Sequence, residues 1–553
     1  MKNTCMDFLE QISDNNIYKF PPVRFLLELD VMELSDKFPD LELFLVDEPL
    51  KFNKVCNEIL FACLRSIDND FKQFIQSSQV AVTIRLKSLP RVLSRSTSNR
   101  YGGIVSFNGL LLAISKLTCY VFHTVWSCPE ECEGNEIVLR YIPKVPPKCY
   151  VCKSVLFENS GLRRCGEQVE ATFKLKNEML CKKIVITDDL IKLLNLGDTY
   201  VIHAVVLKKT VAVWSLEKHI QWAAPQSYST PVDIKDLYTA CDGSPWKFIY
   251  CLASSIGIHV CPLNCFMNVK INLLLSLTSV KAHLYTGSRI LHFLGAGYDT
   301  GYVGKLMHEA AILADRHVVL GTSNSSATTS LTAASGGICL MPLPLQIYGQ
   351  KQINSILSSI ETDDVQSETS KTKLKCAVWA HGMDFKKITL YNIASVFGLV
   401  CRGDLGEFAD DISDFILQEA ISPSETTMEE KRALKDVTEH IDLVAGIMVN
   451  LSEESENLLQ SYFLAARKER PKAVTVACMS ALVTVCLTSA RICRRNVTNI
   501  EDAVFAIWLH VCGGPEPRFA PDEYLDTPAD IKKLHKIINN FKMWLEQFTG
   551  VFM

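Results

Sequence analysis

What this chain lacks bounds it first. It lacks an excess of one charge: Lys and Arg number 57 against 61 Asp and Glu, a formal net charge of −4. That excludes a polycation built to coat nucleic acid. It lacks a long apolar run. The best candidate, 473–490 (AVTVACMSALVTVCLTSA), is uncharged but interrupted by Thr and Ser and bracketed by basic residues, so it is expected to be a buried helix and not a membrane span. The start, MKNTCMDFLEQISDNN, has acids where a secretory leader is apolar. Finally, no Asp or Glu occurs between Asp315 and Glu361, an absence that matters below.

What is present is globular. Hydrophobic residues make up 48% and charged residues 21% of 553, which rules out a disordered or collagen-like chain and predicts several domains. Twenty-one cysteines scattered over so long a chain fit a reducing interior, with a few as metal ligands and most as small buried thiols. The small net charge hides a split. Residues 1–80 carry 8 basic and 14 acidic side chains, 81–230 carry 20 and 12, and the remainder 29 and 35. A basic middle block suits a local phosphate-contacting surface; a merely solvated basic surface fits the charge equally well.

The texture changes with the charge. Residues 1–80 read as mainly helical, with Phe25, Leu26 and Leu29 leading into helical spacing at Val55, Ile59, Leu60, Cys63 and Leu64. From 81 to 230 short strands dominate (VAVTIRL, GGIVSFNGLLLAI, TYVIHAVVL, TVAVWSL). A polar, Pro-containing stretch near 228–238, with 231–240 as its core, reads as a linker. An α/β block follows over 241–420, with 361–373 an exposed polar loop, and 421–553 is helical. Spacing of Leu and aromatic residues over 534–548 predicts an amphipathic, packed terminal helix.

Within the strand-rich block, Cys128-Pro-Glu-Glu-Cys132 is followed by Cys149-Tyr-Val-Cys152. Two tight turns that each aim two thiolates at one ion complete a tetrahedral structural zinc site. Two unrelated reduced pairs, or Cys165 as an alternative ligand, remain open. Four thiolates leave no place for a catalytic water. Cys261 and Cys265 lack a second nearby pair and read as buried thiols.

A helical start and a strand-rich block broken by a Cys-pair hairpin resemble the N-terminal region of minichromosome maintenance (MCM) proteins. In them an oligonucleotide/oligosaccharide-binding (OB) barrel carries a zinc hairpin. The run Ile184–Asp189 with Leu196-Gly197-Asp198-Thr199-Tyr200-Val201 is similar to the family's late barrel segment. The resemblance implies DNA contact through backbone phosphates by Lys208 and Lys209 at a hairpin turn, and by Arg85, Lys87, Arg91, Arg95 and Arg100 at the barrel's entry.

It also implies an AAA+ ATPase module after 240. Val269–Thr278 resembles the helix before the nucleotide strand, and Gly295-Ala-Gly-Tyr-Asp-Thr-Gly301 its phosphate loop. Aligned from Gly295, the loop has Gly297 within it, Gly301 at the Lys position and Tyr302 at the hydroxyl position; Lys305 comes later. Gly336-Gly-Ile-Cys-Leu-Met-Pro342-Leu343 resembles the strand that ends in two acids, here Pro342 and Leu343. Ser395-Val396-Phe397-Gly398-Leu399 puts Val396 where an arginine finger belongs. The sensor positions fall on His381 and near Met479. The joint loss of lysine, acids, finger and sensors argues that ATP is not hydrolysed, since phosphoryl transfer depends on those groups.

The expected fold is therefore multidomain α+β and α/β: an N-terminal helical subdomain, an OB-fold barrel with zinc hairpin, and a degenerate AAA+ core with a C-terminal helical lid. The resemblance further implies a nuclear, non-catalytic protein of meiotic homologous recombination and double-strand break repair. Its partners would be single-stranded DNA or recombination intermediates and other MCM-like or recombination proteins, with no membrane. Two other readings stand beside it: a DNA-dependent ATPase using Lys305 and Asp299, and a zinc-containing protein scaffold.

Overall fold

β-Branched and aromatic runs punctuated by Gly, Asn and Asp build ten strands among the described residues of the first 220. The computed structural model describes residues 22–552 apart from 68–75, 91–102, 133–135, 177–180, 209, 220–228, 297–300, 323–325, 343–346, 367–370, 384–387, 403–407, 422–427, 515–517 and 529. The chain divides into two compact units, Met1–Ile220 and Gln221–Met553.

The first unit corrects the expected helical start. Phe25, Leu26 and Leu29 lie on a strand, β1 (Val23–Asp30), which pairs in parallel with β2 (Val80–Lys87). Val23 and Phe25 point inward by strand alternation, a period that the short run left indistinguishable from a helical one. Helices Val31–Lys37, Pro39–Asp47 and Pro49–Ile67 connect the two strands, the first capped by Asp30, whose side chain accepts from the N–H groups of Met32 and Glu33. So β2, the VAVTIRL strand assigned to the barrel, belongs to the helical subdomain's sheet. Val80, Val82, Ile84 and Leu86 share a core with Leu45, Leu60 and Leu64.

The remaining strands are β3 (Ile104–Ile114), β4 (Thr118–Ser127), β5 (Ile137–Leu139), β6 (Phe157–Glu158), β7 (Arg164–Leu175), β8 (Cys181–Thr187), β9 (Thr199–Val206) and β10 (Val211–Lys218). They form one antiparallel sheet of order β10-β9-β3-β7-β4-β5, with β6 on β4 and β8 on β7. The sheet curls until β10 approaches β8, enclosing Phe107, Leu111, Phe173, Ile186, Tyr200 and Ile202. Register shifts in β3, β4 and β10 supply the bends.

In the second unit the expected linker is a helix, Val232–Ala240, with Ile234 buried; a Pro preceding the first turn is compatible with helix initiation, not a break. The sheet comprises β11 (Phe293–Ala296), β12 (His317–Val319), β13 (Ile338–Pro342), β16 (Ala377–Met383) and β17 (Val400–Arg402), all parallel, in the order β12-β13-β16-β11-β17. The intervening β14 (Asp364–Gln366) and β15 (Lys371–Lys373) pair antiparallel where an exposed polar loop was expected. Alternate residues of each main strand enter different cores. Phe293, Ile338, Leu340 and Trp379 face one, Leu294, Cys339, Met341 and Val378 the other, as a doubly covered parallel sheet requires. Gly337 has no room for a side chain, since a Cβ there would lie 1.9 Å from the Arg316 carbonyl oxygen.

The described residues of 421–553 are helical as expected, apart from their connections. The uncharged run forms the helix Val476–Ile492, with Leu482, Val485, Cys486 and Ala490 buried in protein. Among the described residues no helix is long and apolar enough to cross a membrane. The last helix, Ile531–Thr549, buries Leu534, Ile538, Phe541 and Leu545, one helical face.

Candidate functional site

At the end of β4 the sheet releases the cysteine hairpin. Cys128 directly follows the strand, and its carbonyl accepts from Glu131 N–H in a tight turn (3.2 Å) that sets Glu131 at φ +50° and brings Cys132 back. The second turn is built the same way. Cys149 N–H donates to Ser154 O (2.8 Å), Lys153 N–H to Cys149 O (3.1 Å), and Lys153 adopts φ +60°. Cys152 N–H donates to Cys149 Sγ (3.4 Å), a contact that favours a thiolate there.

The two turns bring all four sulfurs within 4.8 Å of one another, Cys128 and Cys152 at 3.4 Å. A tetrahedron of thiolates around zinc has sulfur–sulfur edges of about 3.8 Å, so the donor set and its spacing fit that ion. Desolvation and the neighbouring sulfurs push the Cys132 thiol up to about 12. Hydrogen bonds from Ser154 bring Cys152 down to about 6. Four crowded sulfurs resist ionising together, and a divalent cation relieves that conflict. Cys165, the rival ligand, is exposed on β7 opposite Val121 and outside the cluster. Trp126, Cys128, Cys149 and Leu156 form the hairpin's small core.

Of the cations expected at a phosphate surface, Lys208 is exposed in the turn between β9 and β10, which Leu207 N–H closes onto Thr210 O (2.8 Å). Lys209, Arg91, Arg95 and Arg100 lie outside the described residues. Arg85 is a correction: its side chain is 8% exposed, and its guanidinium grips Asp189 with two bonds of 3.0 and 2.5 Å. The same contact holds the Asp189 carboxyl below its usual range. Arg85 joins the β1–β2 layer to the barrel and is not available to phosphate. Lys87 is exposed but paired with Glu28. Beside Arg85, Arg24 bonds Asp188 (2.7 Å) and the Tyr120 hydroxyl (2.8 Å). These two ion pairs, in which only Arg85 is buried, escaped the sequence reading, although the adjacent acids Asp188 and Asp189 in a basic block were a signal of partners.

In the second unit the strand register aligns the positions that the phosphate-loop resemblance singled out. Gly295 of β11 lies opposite His381 of β16, and His381 opposite Pro342 of β13. This row sits at the carboxyl ends of the strands, where order reverses between β11 and β16, the place open α/β sheets bind ligands. It contains no acid. Gly301 opens the helix Gly301–Ile312 and is exposed. The His381 ring packs on that helix so closely that a Cβ at Gly304 would lie 2.5 Å from it. Burial holds His381 below its usual range, so it is neutral, and its Nδ1 has no hydrogen-bond partner among the described residues. The Lys305 ammonium lies 4.6 Å over the Tyr302 ring, which in turn stacks on Phe266. Gly297, Asp299 and Leu343 fall outside the described residues.

Val396, half-buried on the helix Ile388–Phe397, and Met479 on Val476–Ile492 come from distant sequence to packed helices. Thr475 Oγ1 donates to Ser395 O (2.9 Å), and Gly398, at φ +73°, has the Ala477 carbonyl where a Cβ would stand. Cys261 and Cys265 are fully buried beside Lys270, whose ammonium donates to the carbonyls of Pro262 and Leu263. They pack as apolar thiols.

Comparison with known proteins agrees with the resemblance to the minichromosome maintenance family. Residues 1–89 match the family described as MCMDC2, N-terminal domain. The rat minichromosome maintenance domain-containing protein 2 is 21% identical over 577 aligned residues, covering 87% of this chain and 83% of the rat protein. The mouse protein of that name is 20% identical, covering 88% and 85%, and the human one 21%, covering 95% and 91%.

Proposed function

We propose that this chain is a divergent member of the minichromosome maintenance family and a non-catalytic, DNA-associated protein; the matches to minichromosome maintenance domain-containing protein 2 support the first part. On this reading the curled sheet is an OB barrel whose zinc-bearing hairpin and β9–β10 turn contact single-stranded DNA or recombination intermediates. The α/β unit is a degenerate AAA+ core that serves as an assembly surface for MCM-like or recombination proteins. The setting is nuclear, in meiotic homologous recombination and double-strand break repair, and this part rests on the family resemblance of the motifs alone.

The observation that carries the non-catalytic reading is the row Pro342–His381–Gly295. Hydrolysis of a nucleoside triphosphate needs a carboxylate to hold Mg²⁺ and another to orient water, and a lysine on the phosphates. Here the strand ends offer a proline and a neutral imidazole wedged against Gly304, and the helix after β11 opens on Gly301, where the resemblance puts the lysine. The hydrophobic frame is kept while its chemistry is not, which supports a structural role. Zinc, held by Cys128, Cys132, Cys149 and Cys152, would fix the fold of the hairpin and leave no open coordination position. The direct test measures ATP hydrolysis by the purified protein with and without single-stranded DNA. No turnover above a no-protein control is expected; turnover abolished by Lys305→Ala would establish the ATPase reading instead.

One feature favours a protein-contacting role for the hairpin itself. Tyr150 is 83% and Val145 76% exposed around the second cysteine turn, with Val151 and Tyr141 also exposed. Clustered exposed apolar residues mark contact surfaces. Tyr150→Ala with Val151→Ser should weaken a partner complex and spare DNA binding if protein is the contact; the reverse result assigns these residues to DNA.

A further inference from the structure

The helix Val476–Ile492 presents two parallel stripes to a cavity of about 340 Å³ in the second unit. Val476, Met479, Val483 and Leu487 form the apolar stripe, at helical spacing. Ser480, Thr484 and Thr488 form the second, which ends at Arg491. The threonines' hydroxyl protons are already committed, Thr484 to Ser480 O and Thr488 to Thr484 O. They therefore offer methyl groups and spare lone pairs but no donors.

The donors converge at one end. Arg491 is 2% exposed and reaches Ile447 O with Nε (3.0 Å) and Ser288 Oγ with Nη2 (3.1 Å). Among the described residues no carboxylate lies within ion-pairing distance of it, and none of the residues lining the cavity is acidic. Arg289, also at the lining, is already paired with Asp363 (3.0 Å). The cavity thus holds one buried, uncompensated positive charge. A buried guanidinium without a counterion is unfavourable, and one carbonyl and one hydroxyl contact spread its charge without cancelling it. A single net charge suits a monoanion better than a phosphate dianion, and a guanidinium matches a carboxylate in shape. The volume lies at the small end of ligand pockets.

We propose that this cavity binds a small organic monocarboxylate, its carboxylate on Arg491 and its short apolar body along Val476, Met479, Val483 and Leu487. The site is independent of the strand-end row and of the cysteine hairpin, so it stands or falls apart from the proposed function.

Octanoate is the probe, titrated calorimetrically into the full chain, with octanol as the uncharged control. One octanoate per chain is expected, and octanol should bind at least about tenfold more weakly, the loss of a charge-assisted contact. Arg491→Gln should bring octanoate down to the level of octanol. Because Arg491 also ties two segments together, Val483→Trp is the second variant: it fills the cavity, leaves Arg491 and its bonds to Ile447 and Ser288 in place, and should abolish binding with the unliganded melting temperature preserved. Absence of octanoate binding at millimolar concentration overturns the proposal. So does equal affinity for octanol, or unchanged binding in a folded Val483→Trp protein.

Discussion

Replacing Cys149 by serine probes the cysteine hairpin at its most buried ligand, 1% exposed. Structural zinc sites of four ligands contribute an apparent ~10–16 kcal/mol near neutral pH. If each ligand carries about a quarter, one lost thiolate costs about 2.5–4 kcal/mol, or roughly a hundredfold to a thousandfold in zinc affinity. The structure also says where the loss is felt. Trp126, 6% exposed, shares its core with Cys128, Cys149 and Leu156, and its indole N–H donates to Thr124 Oγ1 (3.1 Å). The larger core around Phe173 and Tyr200 is separate. The full-length wild type should therefore carry one zinc per chain by mass spectrometry. Competition with a chelating dye should show the affinity drop in Cys149→Ser, and hydrogen exchange should rise within 128–158 while the β3–β9 ladder stays protected. Cys165→Ser should leave both unchanged. A metal-free protein in which 128–158 is fully protected would refute the argument, and so would zinc loss on substituting Cys165.

Other outcomes follow from single contacts. Asp502 is completely buried, accepts two bonds of 2.8 Å from Arg495 and one of 2.6 Å from Ser489, and caps its own helix through Asn499. Asp502→Ala should lower the stability of the second unit by about 2–4 kcal/mol in denaturant melts, the cost of losing its charge-assisted hydrogen bonds and leaving the partly exposed Arg495 without its carboxylate, and Asp502→Asn by less. Burial presses His203, bonded to Ser106 Oγ, down to about 4. The folded state therefore resists a proton that the unfolded chain takes up near 6.5. Its contribution is complete above 6.5 and falls as pH drops from 6.5 to 4, by about 3 kcal/mol in all; His203→Gln should flatten that part of the stability–pH curve. Lys208→Glu should weaken single-stranded DNA binding and reduce the salt slope by about one or more, whereas Arg85→Gln should lower stability through Asp189, with the salt slope unchanged.

Short-range chemistry was legible before folding. The two cysteine pairs, the packed helix 476–492 and the amphipathic terminus each depend on spacing within one turn or one heptad, which is a local property; the helix Met267–Thr286 was expected only over Val269–Thr278, and from the family resemblance. Where the reading failed, the deciding interaction was distant. Residues 23–30 have apolar positions compatible with either period, and pairing with Val80–Lys87 made them a strand. The stretch 232–240 is polar because it is an exposed helix, and polarity alone did not separate that from a linker.

Charge shows the same division. Composition and order by themselves determined that this is no polycation, that its basic residues concentrate in one block, and that no acid lies between Asp315 and Glu361. Only the tertiary structure decided which cations remain free, because an arginine's partner can come from any part of the chain. Arg85 met Asp189 and Arg24 met Asp188, while Arg491 met carbonyl and hydroxyl oxygens and no described carboxylate. It was likewise the parallel register that placed Gly295, His381 and Pro342 in one row. Spacing along the chain cannot set such neighbours, because hydrogen bonds between strands bring together residues dozens of positions apart.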